Sequence, residues 1–200
     1  MSDPFRFNFE KTLQAIAVLL RQSENRTDNY MRLLKLLYLA DRKSLAQMGR
    51  PITGDRVVAM KRGPVLSRTL DMINDKHARS ADLFRHIQKV NYEIQLVHDP
   101  GNAALSRAEI DILHGVSRDF ASMDEWELVE KTHELPEWRK NDPGDSSRRI
   151  PLPDILEAIG QNDRLKEILE AAEEERSIAR LFELPVKSEA EKKGQVSVLA

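Results

Sequence analysis

Apolar and polar positions along this chain follow two periods, and the switches between them divide it into elements. Phe9, Leu13, Ile16, Ala17 and Leu20 recur every three or four residues, as on a helix with one buried stripe, and Asn8 stands where an N-cap belongs. A second helix is expected from Thr27 to Met48, stopped by Gly49 with Pro51 beyond it. In it Met31, Leu33, Leu34, Leu36, Leu37, Tyr38, Leu39 and Ala40 cover nearly every direction. A helix apolar on all sides is a buried one, so this element is expected at the centre of the fold, roughly 33 Å long at ~1.5 Å per residue.

After a turn at Thr53-Gly54, Arg56 to Met60 reads as a short strand, and Gly63-Pro64 as the start of a helix carrying Leu66, Leu70 and Ile73. From Lys89 to Val97 the period becomes two, with Val90, Tyr92, Ile94 and Leu96 on the face expected to be buried. The turn Asp99-Pro100-Gly101 closes this strand, and its expected partner is the 56–60 strand in an antiparallel pair. Two capping boxes then predict helix starts: Ser106 with Glu109, stapled by Leu105 and Ile110, and Ser122 with Glu125 ahead of Trp126, Leu128 and Val129. Pro136 is expected to stop the second, and residues 141–149 read as an exposed linker. Helices follow at 153–159 and 163–182, the latter with Leu165, Ile168, Leu169, Ala172, Ala179 and Phe182 on one side. Beyond Pro185 the chain is polar, and disorder is expected until the apolar end Val196-Ser197-Val198-Leu199-Ala200. The fold class is therefore α+β and mainly helical, with a central buried helix, packed helices, a small antiparallel sheet and a helical C-terminal extension. The domain division is 1–140, then 141–184 as linker and helical extension, then a tail from 185 to 200.

Composition narrows the function classes. The 200 residues contain no cysteine, which rules out disulfides and thiolate metal sites and suits a reducing, cytoplasmic setting. No stretch approaches the ~18 apolar residues of a membrane span, and the N-terminus lacks a basic segment running into an apolar one. Net charge is −2, which argues against nucleic acid as a partner of the whole chain. Its distribution is uneven, with thirteen basic against six acidic residues over 1–70 and twelve against nineteen over 121–200. Two faces of opposite potential, or two solvated surfaces, follow from that asymmetry.

Catalytic motifs fail on inspection. His133-Glu134 begins like a zinc-protease helix, but Glu137 stands where the second histidine is required and Pro136 breaks the helix. His77, His86, His98 and His114 show no ligand spacing, no serine has a lysine three residues later, and the eight glycines form no phosphate-cradling loop. No cofactor or metal is expected.

Polar residues in apolar surroundings are more informative. Lys35, Tyr38 and Asp41 recur every three residues and share one face of the central helix. A buried charge must be paired, solvated or met by a partner. Either these residues pair internally, with Arg56, Arg62 or Asp55 across the fold, or they form the polar rim of a groove. Lys61 and Arg62 precede the expected helix start at Gly63-Pro64, where cations are unfavourable and an incoming carboxylate or phosphate is welcome; alternatively both point into water. Trp138, with His133, either plugs the open side of the domain or stands exposed as a binding anchor.

The run LLKLLYLADRKSLAQMGRPITGD from Leu33 to Asp55, then Gly63-Pro64-Val65, Leu105 to Glu109, and Thr132-His133-Glu134-Leu135-Pro136-Glu137-Trp138 occur in the order and spacing of one family. Over roughly residues 8 to 140 the chain resembles the Panacea domain, the SocA-like antitoxin family also found among phage-associated proteins. The resemblance implies an antitoxin that neutralises a cognate toxin, encoded by a neighbouring gene, through direct protein binding and without catalysis. It carries over to Lys35, Tyr38, Asp41, Gly49, Arg50, Pro51, Ile52, Asp55, Gly63, Pro64, Val65, His133, Pro136 and Trp138. Glycines and prolines are expected to shape the fold, and the charged and aromatic members, with Lys61 and Arg62, the partner-binding groove. The SocA branch implies a proteolytic adaptor that delivers its toxin to ClpXP, and Val198-Leu199-Ala200 resembles a tail that such a protease engages. The competing classes are a DNA-binding repressor of its own operon, using the basic N-terminal third with Arg148-Arg149, a phage-associated structural protein, and an enzyme of new type.

Overall fold

The computed structural model describes residues 3–183. Helix α1 (Phe9–Gln22) begins at Asn8, whose side chain accepts from the Lys11 amide. A one-turn 3₁₀ segment leads to strand β1 (Thr27–Asn29) and then to α2 (Tyr30–Met48), which ends on Gly49 in the left-handed conformation. Next come β2 (Val57–Met60), β3 (Gly63–Leu66), α3 (Ser67–Ile73), α4 (Ser80–Leu83), β4 (Ile87–Val90) and β5 (Glu93–Leu96). The chain continues through α5 (Arg107–Asp119), α6 (Glu125–His133), α7 (Pro136–Lys140), β6 (Ser147–Arg149), α8 (Leu152–Ala158) and α9 (Leu165–Glu183). This is the expected mainly helical α+β fold, with two antiparallel three-stranded sheets, ordered β1-β5-β4 and β3-β2-β6, in place of one.

Helix α2 is central, as its all-round apolar pattern requires: Leu33, Leu34, Leu36, Leu37, Tyr38 and Ala40 are buried, and α1, α5 and α6 pack around it. A second apolar cluster, Leu45, Ala59, Trp138, Ile150, Ile155, Leu156 and Ile168, joins α2 and β2 to α7, α8 and α9. The segment after Trp138 therefore shares a core with the helix before it.

Several expectations need correction. Thr27–Asn29 is a strand because it pairs with β5, and Asn29 then caps α2 by accepting from the Met31 amide. The period-two run is a hairpin, reversed at Asn91, which takes φ +55°, a left-handed conformation that asparagine tolerates better than most residues. Its partner beyond β4 is β1 and not β2, and Val90 and Tyr92 lie at the exposed turn while Ile94 and Leu96 are buried. Gly63-Pro64 is strand, not helix: it pairs with Met60 and Ala59 on an edge of its sheet, the place where proline's missing donor is harmless. The second capping box is Asp124 with Glu127, not Ser122 with Glu125, whereas Ser106 with Glu109 caps α5 as expected. Pro136 opens α7 at its first turn, α6 having ended at His133. Ser147–Arg149, within the stretch read as linker, extends the second sheet along β2. The side chain of Phe182 and the whole tail, with Val196 to Ala200, lie outside the described residues.

Candidate functional site

The loop between α2 and β2, Arg50-Pro51-Ile52-Thr53-Gly54-Asp55, is held by two buried carboxylates. Asp41 on α2 accepts from the amides of Ile52 (2.9 Å) and Thr53 (3.0 Å) and from the Thr53 hydroxyl. Ser44, one turn further, donates to the Arg50 carbonyl at 2.6 Å. Asp55 then reaches the first turn of α3, accepting from the amides of Arg68 (3.1 Å) and Thr69 (2.8 Å) and from the Thr69 hydroxyl (2.8 Å). It caps a helix whose own N-cap, Leu66, has no side chain able to do so. Gly54 lets this loop lie against the N-terminal segment, since a Cβ there would stand 2.1 Å from the Arg6 carbonyl oxygen and φ is +65°.

Burial pushes the Asp41 carboxyl up to about 7, against the opposing pull of its hydrogen bonds from Thr53 and Ile52; the nearby Asp55 adds to the rise. Asp55 is raised as well, chiefly by burial. Lys35 is lowered to about 7 by burial alone. Its ammonium donates to the Pro64 carbonyl at 2.9 Å, under a Gly63 at which a Cβ would come within 3.0 Å of Lys35 Nζ and 2.6 Å of the Thr132 hydroxyl. The internal pairing expected for this face is thus satisfied differently: Asp41 binds a loop, Lys35 binds a strand carbonyl, and neither meets Arg56 or Arg62.

Tyr38 donates to Glu137 Oε1 at 2.7 Å, and Arg42 Nε donates to the same oxygen at 2.7 Å. Trp138, the next residue, is buried, donates from Nε1 to the Met60 carbonyl at 3.2 Å and stacks on His133 with ring centroids 4.0 Å apart. Burial holds the His133 imidazole below its ordinary range. Helix α7 is in this way clamped to α2 on one side and to β2 on the other.

Of the residues singled out in the sequence, Lys35, Tyr38, Asp41, Asp55, Gly63, Pro64 and Trp138 are buried and His133 is half-buried. Arg50, Lys61 and Arg62 are exposed, the last two at the β2–β3 turn. Tyr38, Asp41 and Asp55 do line one cavity, with Phe5, Leu45 and Ile155, but its volume is about 50 Å³, room for a few water molecules and not for a partner's side chain. Glu137 and Arg42 are the residues that sequence reasoning passed over. Only the placing of Glu137 beside Trp138 hinted at them. Trp126, one of the apolar residues after the second expected helix start, is 52% exposed because Leu128, Val129 and Thr132 form the inward face of α6.

Among the described residues no group of three or more His, Asp or Glu is placed to hold a metal ion, and no helix is long and apolar enough to cross a membrane. The family model of the SocA-like antitoxin, Panacea domain, matches residues 33–139, from the start of the buried run on α2 into the last turn of α7. No match was found among curated proteins. None was found among solved structures.

Proposed function

This chain belongs to the SocA-like antitoxin family that carries the Panacea domain, and on that premise we propose that it neutralises a cognate toxin, encoded by a neighbouring gene, by binding it directly in the cytoplasm. The observation that carries this reading is the family match over 33–139, whose shared polar residues are spent on internal bracing. Asp41, Asp55, Tyr38 and Glu137 hold loop, helix and strand in one rigid frame, and the frame presents Lys61 and Arg62 at an exposed turn. A preorganised surface binds a protein partner with little ordering cost. Helix α2 is buried and has no face to lay in a DNA groove, which favours a protein partner over an operator. The chain acts without catalysis in this reading, with residues 1–140 as the binding domain and the helices after 141 as an extension. In its finer form the protein is an adaptor that hands the bound toxin to ClpXP.

Co-expression with the neighbouring gene's product tests the proposal. The expected result is that the neighbour alone arrests growth, that this chain restores it, and that the two co-purify. A neighbour that arrests growth and is neither silenced nor retained by this chain overturns it. The adaptor form further requires the toxin's half-life to shorten when the chain and ClpXP are both present.

A further inference from the structure

Three elements meet at a surface that the bracing does not use. Trp126 on α6 and Tyr92 at the β4–β5 turn are the two most exposed aromatic rings among the described residues, at 52% and 62%. They are joined through the start of α2. Tyr92 stacks on Tyr30 at 6.0 Å between centroids, and Met31, next along, receives a contact from the Arg62 guanidinium at 3.6 Å. The same guanidinium lies over the Trp126 ring at 5.0 Å. A second link runs from Asn29, which donates to Glu125 at 3.0 Å beside Trp126. Tryptophan, tyrosine and arginine are the residue types that dominate protein-binding hot spots.

The charges at this surface indicate its occupant. Neither Arg62 nor Lys89 has a carboxylate partner among the described residues. Lys89 sits over the Tyr30 ring at 4.7 Å and donates to the Ile73 carbonyl and the Asn74 side chain. Arg62, placed over the Trp126 ring and, among the described residues, hydrogen-bonded only to the Met31 sulfur, keeps guanidinium N–H donors for a planar acceptor. Three carboxylates stand close by in the chain: Glu93 beside Tyr92, Glu125 beside Trp126, and Glu130 one turn along α6. They would repel a phosphate backbone running across the patch. A single carboxylate set among apolar side chains brings one negative charge in place of a row of them and meets Arg62 with a smaller penalty.

We infer that Trp126, Arg62, Tyr30 and Tyr92 form the docking surface for the toxin, and that the toxin segment seated there carries an aspartate or glutamate flanked by apolar side chains, the carboxylate on Arg62 and the apolar groups on Trp126 and Tyr92. This rests on the antitoxin reading and names its contact surface.

The test is a binding titration of the full chain against the protein encoded beside it, using wild type and the Trp126→Ala, Tyr92→Ala and Arg62→Glu variants, with Lys166→Glu on α9 as a distant control. Melting curves of each variant alone verify folding, which all four are expected to keep because every substituted side chain lies at the surface. Each patch variant is expected to weaken binding roughly 10- to 100-fold, and the control about twofold or less. Patch variants that fold and bind like wild type overturn the surface while leaving the antitoxin reading standing. A wild type that binds nothing overturns both. Titration with a single-stranded oligonucleotide is expected to show no binding, and binding that Trp126→Ala abolishes would reassign the patch to nucleic acid.

Discussion

The Tyr38 hydroxyl donates to Glu137 Oε1 at 2.7 Å, across 99 residues of chain, and so bolts the central helix to the short α7 that follows the last large helix of the domain. Both side chains are buried, and Arg42 shares the accepting oxygen. Tyr38→Phe removes the donor and keeps the ring, so it should lower stability by about 1–3 kcal/mol, the cost of taking one partner from a buried hydrogen bond. Urea denaturation measures it, and an unchanged midpoint would show that the bolt carries no energy.

Asp55 supplies the acceptors for the first turn of α3 from outside that helix. Asp55→Ala leaves the buried Thr69 amide and the half-buried Arg68 amide without this partner, at a cost of about 2 kcal/mol, the upper end of the range for a lost cap. Amide exchange at Arg68 and Thr69 should quicken in the variant. Exchange rates equal to wild type would contradict the capping role.

Asp41 and Lys35, both on α2, give opposite pH dependences in adjacent windows. Asp41 has its folded value raised to about 7, so the unfolded chain loses this proton first and stability falls as pH climbs from about 4 to 7. Lys35 has its folded value lowered to about 7, so the unfolded chain holds the extra proton and stability recovers as pH climbs from about 7 towards 10. Their joint contribution has a minimum near pH 7. Melts across pH 5 to 9 should find Asp41→Asn flatter on the acid side and Lys35→Met flatter on the alkaline side. Slopes equal to wild type in both variants would remove the assignment.

Trp138 and Trp126 should separate stability from binding. Trp138→Phe loses the bond to the Met60 carbonyl and part of a packed ring, and should destabilise by about 1–3 kcal/mol with toxin affinity unchanged in the folded protein. Trp138, the buried one of the pair, should emit to the blue of the exposed Trp126. A Trp138→Phe protein that is fully stable but binds poorly would move the anchor from Trp126 to Trp138.

Gly63 tests how closely β3 approaches its neighbours. Alanine there would put a Cβ 2.6 Å from the Thr132 hydroxyl and 3.0 Å from Lys35 Nζ, at a φ of +90° that alanine resists. Gly63→Ala is expected to cost more than about 2 kcal/mol, read as a lowered melting temperature, and a neutral result would mean that the hairpin shifts freely.

What the chain's pattern determined by itself was local or periodic. The cap at Asn8, the stop at Gly49, the capping box of Ser106 with Glu109 and the burial of α2 all depend on residues within a few positions of one another, so spacing alone reports them. The motifs shared with the antitoxin family were legible for the same reason, as runs of sequence. What those motifs do was decided only in three dimensions. A carboxylate on an apolar helix must be satisfied, but whether by Arg56, by a loop amide or by a partner depends on which segment the fold brings beside it. For Asp41 that segment is Ile52-Thr53, and for Glu137 it is Tyr38 and Arg42. Strand pairing is likewise a long-range choice: β1 and β6 exist because β5 and β2 offer them free edges, and nothing in Thr27–Asn29 or Ser147–Arg149 alone specifies a strand. Exposure of Tyr92 followed the same rule. An aromatic residue near an apolar period reads as core until the neighbours that would cover it turn out to lie elsewhere.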